Sequence, residues 1–139
     1  MTVTISTSDA GRIAALAAAE PGHEVCGLLL GEALRIDAIV ECANVATDRA
    51  RPFEVDPAML VAAHRAARGG VPGVIGSYHS HPSGIAEPSA TDAAMIGRTG
   101  EIWLIVANGV LRAWIASDAG SFQPVALAAV ERVGQSTGV

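Results

Sequence analysis

Val3 and Ile5 alternate with Thr2, Thr4 and Ser6, so the chain is predicted to open with a strand that buries one face. After Ser8 the apolar positions Ile13, Leu16 and Ala17 return on one helical face until Pro21-Gly22, which predicts a helix capped by Ser8 and running through Glu20. Residues 24–31 are a nearly unbroken apolar run bounded by glycine, the pattern of a strand buried on both faces. Residues 34–41 alternate and should pair with it through a tight turn at Glu32-Ala33. The mixed stretch 43–55 reads as loop with a short extended piece at 53–55. Asp56-Pro57 then opens a helix, with Asp56 as cap and Pro57 where a missing N–H costs nothing; it should end near Arg68, before Gly69-Gly70.

Residues 74–79 form the next predicted strand, followed by a turn-rich loop and a helix from Ser89 to about Thr99. Residues 102–107 and 110–117 flank Asn108-Gly109, a two-residue hairpin signal that would set Trp103 opposite Trp114. A last short strand is expected at 122–127 and a frayed tail at 134–139. The order β-α-β-β-α-β-α-β-β gives a single α/β domain over residues 1–133, one sheet with helices packed on it.

Composition narrows the function classes. Fourteen acidic residues against nine basic ones leave a net charge of −5, which disfavours a sequence-independent grip on nucleic acid. The apolar stretch 13–19 is short, alanine-rich and has no basic region before it, so neither a signal peptide nor a membrane span is expected, and a cytoplasmic location follows. Cys26 and Cys42 are too few for a disulfide framework; buried free thiols are expected, with a single bridge as the other state.

The chemistry gathers in residues 78–92. His79 and His81 stand on the same side of an extended backbone, about 6.5–7 Å apart, and can converge on one ion. Asp92, in the first turn of the next helix, can swing back toward them, and such a set leaves a position for water on zinc. Two readings stay open for Asp92, because Ser89 and Asp92 also have capping-box spacing and could serve only to start a helix. Glu24 heads the buried run, as a general base or as a solvated residue just before the strand. Ser89 lies near enough to support an oxyanion. His23 and His64 look incidental, His64 on an exposed helix face.

Glu24-Val25-Cys26-Gly27-Leu28-Leu29-Leu30-Gly31, His79-Ser80-His81-Pro82, Ser89 and Asp92 together resemble the JAMM motif of the MPN+ metalloproteases, in their prokaryotic single-domain form: a glutamate, then His-x-His-x7-Ser-x2-Asp. The segment Pro52-Phe53-Glu54-Val55-Asp56-Pro57 resembles bacterial members too. The resemblance implies a cytidine-deaminase-like α/β/α sandwich (the MPN/JAB domain) with a mixed sheet and flanking helices. It implies one Zn2+ per chain on His79, His81 and Asp92 with a water, Glu24 as general acid/base and Ser89 at the oxyanion. The implied reaction is hydrolysis of a peptide or isopeptide bond after the C-terminal glycine of a ubiquitin-like or sulfur-carrier protein. The alternative is a non-catalytic MPN-type interaction module; such modules typically lose a ligand or the glutamate, and this chain keeps both. A deaminase would need His-x-Glu with Pro-Cys-x-x-Cys, which is absent from the sequence.

Overall fold

The alternating and continuous apolar runs become the strands β1 (Thr2–Ser6), β2 (Cys26–Glu32), β3 (Arg35–Cys42), β4 (Gly73–Ser80), β5 (Ile102–Ala107), β6 (Val110–Ala116) and β7 (Phe122–Val130). Between them lie the helices α1 (Thr7–Ala19), α2 (Pro57–Arg68) and α3 (Ala90–Ala94). This computed structural model describes residues 1–44, 57–69, 72–82, 84–118 and 120–131. The expectations for 53–55, for Asp56 as a cap and for the tail 134–139 lie outside those residues.

The local predictions differ from the structure where neighbouring polar residues compete. Ser6, not Ser8, caps α1, its Oγ accepting the Asp9 N–H at 3.0 Å. The turn between β2 and β3 is centred one residue later than expected, with Ala33 at φ 53°. The last helix is much shorter than the predicted 89–99. It stops at Met95 because Met95 and Ile96 turn in to pack against the Trp103 cluster, while the Gly97 N–H goes to Glu101 Oε1 at 3.0 Å. Asn108 and Gly109 both have positive φ, 50° and 78°, as the expected hairpin turn requires. Trp103 does stand opposite Trp114, and its ring makes edge contacts with His79 and Phe122 at 5.4 and 4.9 Å.

The sheet is mixed, with hydrogen-bonded order β1-β3-β2-β4-β5-β6-β7, and β7 returns parallel to β1 over five registered pairs. The ring closes through the single β1–β3 pair Thr4↔Arg35. Helices lie on both faces, but the strands form a closed ring where the expected sandwich has an open middle layer. β2 carries two irregularities of register, at Leu29/Leu30 against β4 and at Leu30/Gly31 against β3, where local twist increases.

Strand alternation divides the core. Leu29, Tyr78, Ile102, Leu104 and Val106 join Val3, Ile5 and Ile36 beneath Ile13 of α1. Residues one step away point oppositely: Leu28, Leu30 and Cys42 pack with Met59 and Ala63 of α2, and Cys26, Trp103, Ile105 and Trp114 pack with Ala86 and the chain after α3. No helix among the described residues is long and apolar enough to cross a membrane.

Cys26 and Cys42 are a registered pair across β2 and β3, and both are buried, unbridged thiols. Burial pushes the Cys26 thiol up to about 12, so it stays protonated and inert. A thiol reagent should therefore leave Cys26 unmodified in the native protein at pH 7 and equally at pH 9, and modify it once guanidinium unfolds the chain; native labelling that climbs with pH would contradict this.

Gly27 is where β2 passes beneath Tyr78 of β4, and a Cβ there would run into the tyrosine ring. Gly27→Ala should lower stability by about 1–3 kcal/mol in urea unfolding. Gly11→Ala in α1, where a Cβ meets nothing within 4 Å, should raise stability by about 0.5–1 kcal/mol. Effects of the same sign at the two positions would show that the Tyr78 contact is not what requires glycine.

Candidate metal centre

β4 carries the first histidine because its sequence alternates into two different cores. Tyr78 goes under α1, whereas His79, fully buried, turns to the opposite face between Cys26 and Ile105 in neighbouring strands. The Trp103 ring meets it nearly edge-on, at an interplanar angle of 89°. The strand ends at Ser80, but the pairing continues for one more residue: the His81 N–H donates to the Val106 carbonyl at 2.9 Å. Pro82 has no N–H and cannot extend the ladder. His81 thus leaves the sheet on the same side as His79, as the spacing predicted.

The two rings meet through their Nε2 atoms, 3.0 Å apart. His81 Nδ1 is 2.9 Å from the carbonyl oxygen of Ile85. A carbonyl can only accept, so Nδ1 carries the proton, and in the neutral ring Nε2 keeps its lone pair for the site. Burial lowers the pKa of His79 and favours its neutral form. The Asp92 carboxylate beside His81 favours the protonated ring and raises its pKa.

Asp92 is fully buried in the first turn of α3. The two readings open for it turn out to be compatible. Its Oδ2 accepts the Ser89 N–H at 2.9 Å, and Ser89 Oγ accepts the Asp92 N–H at 3.0 Å, completing a capping box. The same carboxylate places Oδ1 3.3 Å from His79 Nε2 and Oδ2 3.2 Å from His81 Nε2. Burial works to raise this carboxyl, but the two imidazoles close beside it outweigh that and hold Asp92 well below the usual carboxylate range.

Glu24 arrives from a separate arm, and the strand starts after it, not with it: β2 begins at Cys26. Ser80, lying between the two histidines, clamps this arm. Its Oγ accepts the Val25 N–H at 2.8 Å and its own N–H donates to the Val25 carbonyl at 3.0 Å. Asn44 Nδ2 holds the Glu24 carbonyl at 3.1 Å. The Glu24 carboxylate and the two imidazoles offer atoms all within 4.8 Å of one another, so these three alone could hold an ion. Asp92 is the nearer carboxylate, one oxygen to each ring. Burial raises the Glu24 carboxyl to about 7, and its Oε1 is buried with no hydrogen-bond partner among the described residues. A carboxyl in that range can both take and return a proton near neutral pH.

The donor set, two imidazole nitrogens 3.0 Å apart with a carboxylate that puts one oxygen 3.3 Å from the first and the other 3.2 Å from the second, is of the kind that holds a metal ion. A buried carboxylate oxygen with no partner among the described residues, as on Glu24, is a further mark of a site that expects an ion or a water.

Ser80 and Asn44 escaped the sequence reading. Ser80 had a usable signal, a hydroxyl inside a buried strand between two histidines; Asn44 had none, because its role depends on β3 ending beside Glu24. His64 is exposed on α2, as expected, and His23 is exposed and lines a cavity of about 470 Å3 that also includes Glu24.

Residues 7–117 match the family described as prokaryotic homologs of the JAB domain. The desampylase of Haloferax volcanii is 36% identical over 91 residues, covering 64% of this chain and 66% of that protein. The desampylase of Pyrococcus furiosus is 33% identical over 103 residues, covering 73% of each. Among solved structures, a protein from Desulfitobacterium hafniense aligns with a TM-score of 0.74 at 22% identity over 96% of this chain and 97% of that one. A JAB1/MPN domain protein from Archaeoglobus fulgidus aligns with a TM-score of 0.58 at 19% identity over 94% of this chain and 100% of that one. These two speak to the fold, and the sequence matches speak to the lineage. The chain belongs to the prokaryotic JAB-domain family.

Proposed function

We propose that this chain is a zinc-dependent metallopeptidase or isopeptidase that cuts after the C-terminal glycine of a ubiquitin-like or sulfur-carrier protein. The observation that carries the reading is the meeting of His79 Nε2, His81 Nε2 and the Asp92 carboxylate within 3.0–3.3 Å, beside a partly buried glutamate. His79, His81 and Asp92 would hold the metal. Zinc bound there would act as a Lewis acid toward the scissile carbonyl and make a water acidic enough to attack near neutral pH.

The remaining work falls to this chain's own groups. Glu24 would take the proton from the attacking water and return it to the departing amine, for which its closeness to both imidazoles suits it. Ser89 Oγ already accepts the Asp92 N–H, which leaves the hydroxyl proton free to donate to a developing oxyanion. The substrate class is supported by the two relatives named desampylases and by the motif.

Purified from zinc-replete growth, the protein should carry about one zinc per chain, and His81→Ala should lose it; metal-free wild type would end the enzyme reading. Glu24→Gln should keep the metal and lose about 10²–10⁴-fold in turnover, so undiminished turnover would remove Glu24 from the role of base. Substrate is tested with ubiquitin-like and sulfur-carrier proteins extended past their terminal glycine. Mass spectrometry should find cleavage after that glycine, lost with a chelator and regained with zinc.

A further inference from the structure

His81 and Asp92 are joined by residues 82–91, most of which belong to no strand or helix. Of residues 84–88 only Ala86 is buried, and the Ile85 side chain is 64% exposed. Yet the Ile85 carbonyl is the group that fixes the ring of His81, by accepting from Nδ1. An exposed side chain cannot hold that carbonyl in place, and the peptides on either side are the ones restrained: Asn108 Nδ2 donates to the Gly84 carbonyl in a long, exposed contact of 3.5 Å, and a shorter, buried bond holds Ala86.

The stronger restraint comes from β6. Trp114, itself buried, donates its indole Nε1–H to the Ala86 carbonyl at 3.1 Å, and the two residues share one core cluster with Trp103 and Ile105. Two residues earlier on the same strand face, the Arg112 guanidinium lies 4.9 Å above the Trp114 ring and 3.9 Å from Glu87. The Arg112–Glu87 pair is solvent-exposed and contributes little by itself. The buried indole hydrogen bond is the anchor, and it grips the loop midway between the two ligands.

We propose that Trp114 is a positioning residue for the metal site. By holding the Ala86 peptide it sets the neighbouring Ile85 carbonyl, which in turn selects the Nδ1–H tautomer of His81 and aims Nε2 at the ion. The proposal rests on the zinc reading. Outer groups that orient a ligating histidine typically tune metal affinity by about 10–100-fold. Trp114 acts one step further out, so an effect near the lower end is expected.

The test is Trp114→Phe, which keeps an aromatic ring in the core and removes the N–H donor. Zinc affinity, measured by competition with a chromophoric chelator, should weaken about tenfold. Nitrogen-15 spectra of the metal-free variant should show His81 losing its single-tautomer signature. Ile13→Val trims the opposite core and serves as a control for general destabilisation; it should leave both readouts unchanged. Wild-type affinity and tautomer in Trp114→Phe would overturn the proposal, as would equal losses in the control.

Should Trp114→Phe not fold, the wild type supplies the same test through linkage. Zinc binding must then slow hydrogen exchange at the Trp114 indole, and an unchanged rate would overturn the proposal. If wild type binds no zinc, the enzyme reading fails, while the tautomer comparison in metal-free protein still decides whether Trp114 orients His81.

Discussion

β2 and β4 run antiparallel with Cys26 opposite His79, and one step past the end of that ladder Ser80 and Val25 exchange two more hydrogen bonds. This register brings a glutamate on one strand arm beside two histidines on another. A slip of one residue would turn His79 into the α1 core and send Tyr78 to the site. Such a slip is resisted from both faces. Tyr78 lies directly over Gly27, which alone has room beneath the ring, and Leu28 and Leu30 are committed to the side chains of α2. The functional geometry is therefore a consequence of ordinary apolar packing, and the polar groups follow where the core sends them.

That packing also explains how much could be read beforehand. The strands and the 57–68 helix announce themselves by periodicity, and Asn108-Gly109 by turn chemistry, because each depends on neighbours in sequence. The candidate site residues stood out for another reason: titratable side chains are conspicuous beside apolar runs. What stayed hidden depends on partners far along the chain. The ring closure needs β7 to lie beside β1 and β1 to meet β3 at Thr4↔Arg35, and no local pattern encodes either. The short α3 is a case of tertiary packing overriding helix propensity, since Met95 and Ile96 gain more by entering the Trp103 cluster than by continuing the helix. Ser6 and Ser8 are equivalent caps on paper; the helix start is settled by where β1 ends.

The three parts that meet at the centre are secured to different degrees. His79 sits within a strand paired on both sides, so its position is as firm as the core itself. Glu24 lies outside its strand and depends on Ser80 and Asn44. Asp92 is on a helix of five residues, too short to be stable in isolation. It holds because the capping box satisfies the first turn and because Met95 and Ile96 are drawn into the core just beyond it.

A capping aspartate and a metal-directed aspartate would normally make conflicting demands, since one needs its oxygens turned to the backbone and the other needs them turned to the ion. Here Oδ2 takes the Ser89 N–H while lying 3.2 Å from His81 Nε2, and Oδ1 is left facing His79. One oxygen serves the helix without leaving the site. The cap therefore fixes the carboxylate's rotation before any ion arrives, and preorganisation of that kind reduces what must be reordered on binding. The buried carboxylate, costly to leave unpaired, is stabilised by the same bond that starts its helix. The capping role of Asp92 and the metal-ligand role proposed for it thus share one hydrogen-bond arrangement.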